Sequence, residues 1–443
     1  MSRNYMALSG LAPVTAMTAS VTDRRGFLRG AVGISALAAT SSLLSACGGK
    51  GSSSSAGGGS VTLGSYQSDD VPRKAMVEMI EAFKAKGGPK VDINTIDHET
   101  FKGQISNYLQ GSGDDVFTWF AGYRARFFAD QGLVGDLTDV IAKIDGLPDS
   151  MKEAVTASDG KQYLVPQTYY PWALFYKKSV WKERGYEVPK NWEEFLALGK
   201  KMKADGLHPV AFANKDGWEA MGTFDQLDLR INGIEFHRSL LAGETDWTAP
   251  EVKNVFTKWN DLLQISQPDS LGRTWQEAAQ SLIRGESGMY LMGMFIAQQF
   301  PDEVDDYDFF PFPEIDPKFG IDYVEAPVDG FMMRANPKNV EGSKQLLEFL
   351  GSPESVDIWS SHDSSTIAAN EKANHENYNH LQQKAVEMIS AAKGLTSFLD
   401  RDTRPDFAST VISPSFQEYV KNPDAIDSIL NSIQQQKVSI FGK

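Results

Sequence analysis

Residues 61–120 read VTLGSYQSDDVPRKAMVEMIEAFKAKGGPKVDINTIDHETFKGQISNYLQGSGDDVFTWF. Two periods alternate along this stretch. Val61 to Tyr66 and Val91 to Ile96 have the two-residue period of strands, with Val91, Ile93 and Thr95 on one face. Between them Met76, Met79, Ile80 and Phe83 recur at helical spacing within Val71 to Lys86, and Gly87-Gly88 stops the helix. Phe101, Ile105, Tyr108 and Leu109 mark a second helix closed by Gly111, and Asp115 to Phe120 is a third strand. The order β-α-β-α-β opens a doubly wound α/β sheet, mainly parallel and flanked by helices. Ligands of such sheets sit beyond the carboxyl ends of the strands. Those ends are Gly64-Ser65-Tyr66 and Trp119-Phe120, which makes Tyr66 and Trp119 candidate contacts.

Downstream the pattern continues. Asn191 caps a helix with Glu194 in capping-box position. Pro209 to Ala213, Gly288 to Met292 and Gly330 to Arg334 read as strands. Pro250 to Leu263, Trp275 to Arg284 and Glu341 to Leu350 read as helices. The chain that remains after residue 46 is too long for one small core, and its length suggests two domains.

Upstream, Arg24 and Arg25 form a twin-arginine pair followed by a weakly apolar run of small residues, Ala31 to Leu44. Positive charge, apolar run and small-residue site follow the order of a secretory signal. The run ends at Leu44-Ser45-Ala46-Cys47, and Cys47 is the only cysteine of the chain. A lone cysteine makes no internal disulfide. The flexible Gly/Ser tract that follows, to Ser60, reads as a leash. Residues 1–46 carry four arginines and one aspartate, so their removal takes the net charge from −15 to −18. Such an acidic chain repels phosphate backbones, which argues against a nucleic-acid partner. Nine tryptophans, all after residue 46, offer flat surfaces for an uncharged ligand.

Two further segments carry a resemblance. Gly160-Lys161-Gln162-Tyr163-Leu164-Val165-Pro166, then Ala173-Leu174-Phe175-Tyr176-Lys177-Lys178, resemble a core motif of the extracellular solute-binding proteins of carbohydrate ABC transporters. Where that family usually has Asn, this chain has Lys177. Asn191 to Phe195, Asn214 to Trp218, Trp275 to Ala278, Gly288 to Gly293, Phe310 to Pro313, Asp329 to Phe331 and Asp400 to Pro405 resemble a subgroup that handles oligosaccharides and glycosides. Leu44 to Cys47 resembles a bacterial lipobox, whose cysteine is acylated.

The resemblance implies a two-lobed periplasmic-binding-protein fold with a ligand cleft between α/β lobes. The expected organisation is a Tat-like lipoprotein signal at 1–46 and an acylated Cys47 with its linker at 47–60. The first lobe is expected from 61–168 and 313–368, the second from 169–312 and 369–443. The chain would cross near Thr168 to Trp172, Phe310 to Pro313 and Thr366 to Asn370. It also implies a monomer on the extracytoplasmic face of the membrane, lipid-anchored. Such a protein would pass a neutral mono- or oligosaccharide to permease subunits.

A neutral sugar has apolar C–H faces that suit aromatic rings and hydroxyls that suit carboxylates, amides and guanidinium groups. Trp218 after the polar turn Lys215-Asp216-Gly217, Trp275 at a helix start and Phe295 after Gly293-Met294 are candidate platforms. Asp329, Asp400, Arg401 and Asp225 are candidate polar contacts, with Asp228 and Arg124 behind them. Asp402 reads as a helix cap, and Trp181, Trp192, Trp247, Trp259 and Trp359 as packing. The sequence holds no His-Glu-x-x-His, no phosphate loop and no Gly-x-Ser-x-Gly elbow. A binding protein with no metal, cofactor or catalytic residue is expected. An exported sugar sensor or adhesin, and a glycosidase with its carboxylate pair, are the rival readings.

Overall fold

The computed structural model describes residues 59–442. Arg24, Arg25, Cys47 and the linker up to residue 58 lie outside the described residues. The strands are β1 (Val61–Ser65), β2 (Val91–Thr95), β3 (Val116–Phe120), β4 (Val165–Tyr169), β5 (Trp172–Lys177) and β6 (His208–Ala211). They continue as β7 (Ser287–Gly293), β8 (Tyr307–Phe310), β9 (Tyr323–Glu325), β10 (Val328–Met333), β11 (Ile367–Ala368) and β12 (Gly394–Thr396). Helices α1 (Asp70–Ala85) and α2 (His98–Gln110) fall where the periodicity puts them, and α1 buries Met76, Met79, Ile80 and Phe83.

β1, β2 and β3 form the expected parallel unit, with Val61 opposite Val91 and Leu63 opposite Val116. β2 is the edge strand, so its residues are only partly covered. The first sheet has the order β11-β4-β10-β3-β1-β2. β10 is antiparallel to both neighbours, with Gly330 opposite Trp119 on one side and Pro166 on the other. β1 to β4 therefore share a direction while β10 and β11 oppose them. The second sheet, β6-β7-β5-β8, is likewise mixed, because β5 enters it straight from β4 without a crossover helix.

Two hydrophobic cores flank these sheets. Phe101, Phe117, Phe128, Phe331 and Leu346 belong to the first. Trp181, Trp192, Trp247 and Trp259 lie in the second, as their spacing suggested. Trp359 packs in the first and donates its indole N–H to Thr366 Oγ1 at 3.2 Å.

One boundary differs from the expectation. Residues 313–327 stay with the second lobe: Ile315 packs on its core, and buried Arg230 donates to the carbonyls of Phe312 and Tyr323, both at 3.0 Å. β9 then pairs with β12, whose Leu395 carbonyl accepts from Arg238 of the second lobe. The first lobe resumes at β10.

Candidate functional site

A cavity of about 380 Å³ opens between the lobes where β4 passes into β5. This volume lies within the range of small-molecule clefts. Its second-lobe wall is aromatic. Trp172, at the start of β5, stacks on Phe398 at 5.0 Å, and Trp218 stands edge-on to Trp172 at 6.3 Å. Phe295 meets Trp275 edge-on at 5.1 Å and Tyr170 at 5.3 Å.

Local chemistry sets each ring. Gly217 turns the chain into Trp218 with a left-handed φ of +85°, and a side chain there would collide with Ser413. Gln417 Nε2 donates to the carbonyls of Asn214 and Lys215 and fixes the same turn. Thr274 and Glu277 form a capping box that starts the helix at Trp275. Gly222 lies against Trp172, and a methyl at its Cβ would sit 2.5 Å from the ring.

The facing floor is polar. Tyr66 donates its hydroxyl toward Asp329 Oδ1 at 3.3 Å and the Trp119 carbonyl at 3.2 Å. Arg401 Nη1 donates to Asp329 Oδ1 at 2.8 Å, and Nη2 to the Tyr170 hydroxyl at 3.1 Å. The Arg401 guanidinium lies 4.5 Å over the Phe120 ring. Lys102 reaches Asp400 Oδ2 at 2.8 Å, and Arg124 reaches Asp400 Oδ1 at 3.4 Å.

Burial alone would raise the Asp400 carboxyl, but Lys102 and Arg124 hold it well below the usual range. Burial raises Asp329 despite the opposing Arg401. His98, whose ring centroid lies 4.5 Å from that of Tyr66, is pushed down to about 3 by burial, with Lys102 and Arg401 adding to the shift. It is a neutral imidazole at physiological pH, able both to donate and to accept. Gln298 Nε2 bridges the lobes to Asp363 Oδ2 at 2.9 Å.

Seven of the nine candidate contacts line this cavity: Tyr66, Trp218, Trp275, Phe295, Asp329, Asp400 and Arg401. Trp119 and Asp225 do not. Trp119 is fully buried in the first core, stacked on Phe120 at 4.3 Å. Side chains alternate along a strand, and in β3 it is Phe120 that lines the cleft. Asp225 is fully buried on the helix Glu219–Ile231, whose every residue is covered, and it accepts the Leu399 amide instead. Asp228 hydrogen-bonds His237, and Arg124 lies behind Asp400. Asp402 does cap a helix, but a distant one: its Oδ1 accepts the amide of Tyr123, first residue of α3 (Tyr123–Asp130).

Sequence reasoning missed Phe120, Tyr170, Trp172, Phe398, His98 and Lys102, all of which line the cavity. His98 follows the carboxyl end of β2, so the strand-end rule pointed at it. Tyr170 and Trp172 fall in the expected first crossing. Among the described residues no cluster of three or more metal-ligating side chains occurs, and no helix is long and apolar enough to cross a membrane.

A sequence profile of the bacterial extracellular solute-binding proteins matches residues 69–357. The chain belongs to this family. The solute-binding protein is 41% identical to the bacterial solute receptor AcbH, which has an exclusive preference for β-D-galactopyranose. The two structures superpose with a TM-score of 0.85 over 87% of this chain and 100% of the receptor. An ABC transporter extracellular-binding protein of Pyrococcus horikoshii is 23% identical over 295 residues, 64% of this chain and 65% of its own length. A "probable sugar-binding periplasmic protein" of Mesorhizobium japonicum is 28% identical over 186 residues, 40% of this chain and 44% of its own length. The matches thus span less than two thirds of these two sequence relatives. The family is one of extracytoplasmic receptors, not of enzymes.

Proposed function

We propose that this solute-binding protein captures a neutral pyranose, free or at the end of a short oligosaccharide or glycoside, and delivers it to an ABC permease. One observation carries the reading: five aromatic rings of the second lobe and an Arg401–Asp329 ion pair that joins the two lobes line one cleft. The rings suit the C–H faces of a sugar, and Asp329, Arg401, Asp400 and His98 suit its hydroxyls. The 41% identity to a galactopyranose receptor supports the same ligand class. The link Tyr170-Pro171 between β4 and β5 lies at the cleft, where hinge motion would open and close the lobes as a monomer.

Sugar bound only by the folded protein adds about 2.7 kcal/mol at a hundredfold excess over Kd. D-Galactose or raffinose should therefore shift the melting curve, while amino acids, nucleotides and metal ions should not. Trp218→Ala should melt normally without sugar and lose most of the shift. If no sugar in a broad panel moves the wild type, the reading fails.

The leader completes the proposal. Arg24 and Arg25 direct export, and acylated Cys47 tethers the receptor through the Gly/Ser leash. Cys47→Ser should abolish incorporation of a fatty-acid probe in cells. Equal labelling of mutant and wild type would end the lipoprotein reading.

A further inference from the structure

Asp225 lies outside the cleft, yet one of its hydrogen bonds reaches the segment that shapes it. The helix Glu219–Ile231 runs beneath the aromatic wall and is buried along its whole length. From this helix Asp225 Oδ2 accepts the Leu399 amide at 2.8 Å. Leu399 opens the short helical turn Leu399–Asp402, and Phe398 before it supplies no side-chain cap. The first amides of a helical turn have no partner inside it, so Asp225 serves as a cap from a remote part of the chain. The next two residues are Asp400 and Arg401, both in the floor of the cleft.

His237 and Asp228 lie behind Asp225. His237 Nε2 stands 3.6 Å from Asp225 Oδ1, and His237 Nδ1 is 2.8 Å from Asp228 Oδ2. All three side chains are fully buried. Asn232 Nδ2 holds the other Asp228 oxygen at 2.7 Å. Burial would lower His237, but the Asp228 hydrogen bond and both carboxylates raise it. Burial, and after it the charge of Glu325, push the Asp225 carboxyl well above its ordinary range, and His237 opposes them only in part. Asp228 hydrogen-bonds His237, which lies beside Asp225 without a hydrogen bond to it, so the Leu399 amide is the hydrogen-bond partner that orients Asp225, and neither acid nor His237 lines the cavity.

We propose that Asp225, buried beneath the turn and bonded to the Leu399 amide, is a positioning residue that fixes the Leu399–Asp402 turn and so sets where Arg401 and Asp400 meet the sugar. This rests on the reading of the cleft as a sugar site. A binding group must be held to about 0.5 Å to act at full strength. Thr403 Oγ1, donating to the Leu241 carbonyl, ties the far end of the turn to the second lobe. Asp225 ties the near end.

The test uses the full chain, D-galactose and raffinose as probes, and two readouts: calorimetric affinity, and hydrogen exchange of the sugar-free protein. Asp225→Asn keeps an acceptor oxygen for the Leu399 amide, and Asp225→Ala keeps none. Asp225→Ala should weaken binding about tenfold, the cost of leaving one buried amide without its hydrogen bond, and raise exchange at Leu399–Asp402 alone. Asp225→Asn should restore most of both. A residue that only supports the core would raise exchange across the second lobe and show no such rescue, and that outcome overturns the proposal. So does wild-type affinity in folded Asp225→Ala. If Asp225→Ala does not fold, His237→Gln is read in its place with the same two measurements. If the wild type binds no sugar at all, the sugar reading fails, and exchange at the turn still decides the positioning role.

Discussion

Arg401→Ala is expected to abolish sugar binding and to destabilise the sugar-free protein by about 3–5 kcal/mol, the usual cost of leaving one member of a buried ion pair unpaired. The Arg401 and Asp329 side chains are only 11% and 15% exposed, so solvent screens the pair little. Without the guanidinium, Asp329 keeps the burial that already raises its carboxyl and loses the cation that opposes it. Its folded pKa then rises further above the unfolded one. The native state binds the extra proton, so the deficit is small below the unfolded pKa and grows as pH rises toward the folded one. Denaturant melts at pH 4.5 and pH 8 measure this difference. Asp329→Asn in the Arg401→Ala background should recover most of the stability but none of the binding, because the guanidinium that faces the ligand is still missing. Sugar affinity retained in Arg401→Ala would remove Arg401 from the site.

Glu219→Gln should stabilise the protein at alkaline pH. Glu219 follows Trp218 in sequence, is 2% exposed, and neither carboxyl oxygen has a hydrogen-bond partner. Burial pushes its carboxyl up from 4.5 to about 8. Between those values the native state carries a proton that the unfolded state has released. Stability therefore falls by about 1.4 kcal/mol per pH unit across the window, about 5 kcal/mol in all. Glutamine fills the same space without a charge to desolvate. The variant should melt close to the wild type at pH 4.5 and several degrees above it at pH 8.5. Parallel melting curves at both pH values would show that Glu219 ionises freely.

The elements were legible where their information is local. α1 and α2 carry amphipathic stripes, and β1 and β3 lie between turn-forming residues, so the opening unit could be read from periods alone. Strand order could not. That β10 enters the first sheet between β3 and β4 is a property of residues some two hundred positions apart, and no periodicity records it. In the site, Trp218 was legible because a glycine turn has little other reason to hold an indole. Trp119 misled because Val116 to Phe120 is buried on both faces, and a strand without alternation does not declare which ring looks outward. Asp225 misled for the corresponding reason, since a helix covered all round has no polar face to read. Phe398 and Trp172 belong to the same stack yet lie more than two hundred residues apart in the chain, so neither announced the other.

The place of β10 also governs the order in which the molecule can assemble. Its two neighbours in the first sheet are complete once residue 169 has been synthesised, yet the strand that joins them arrives only at 328–333. Until then β3 and β4 each present an unpaired edge, the kind of surface that invites association with other chains. Loop closure over such a separation is slow to form contacts. The second sheet, whose strands lie between residues 172 and 310, can be completed first. β10, the strand that brings Asp329 to the floor of the cleft, would then join a molecule whose second sheet is already in place, and β11 would close the far edge of the first sheet after it.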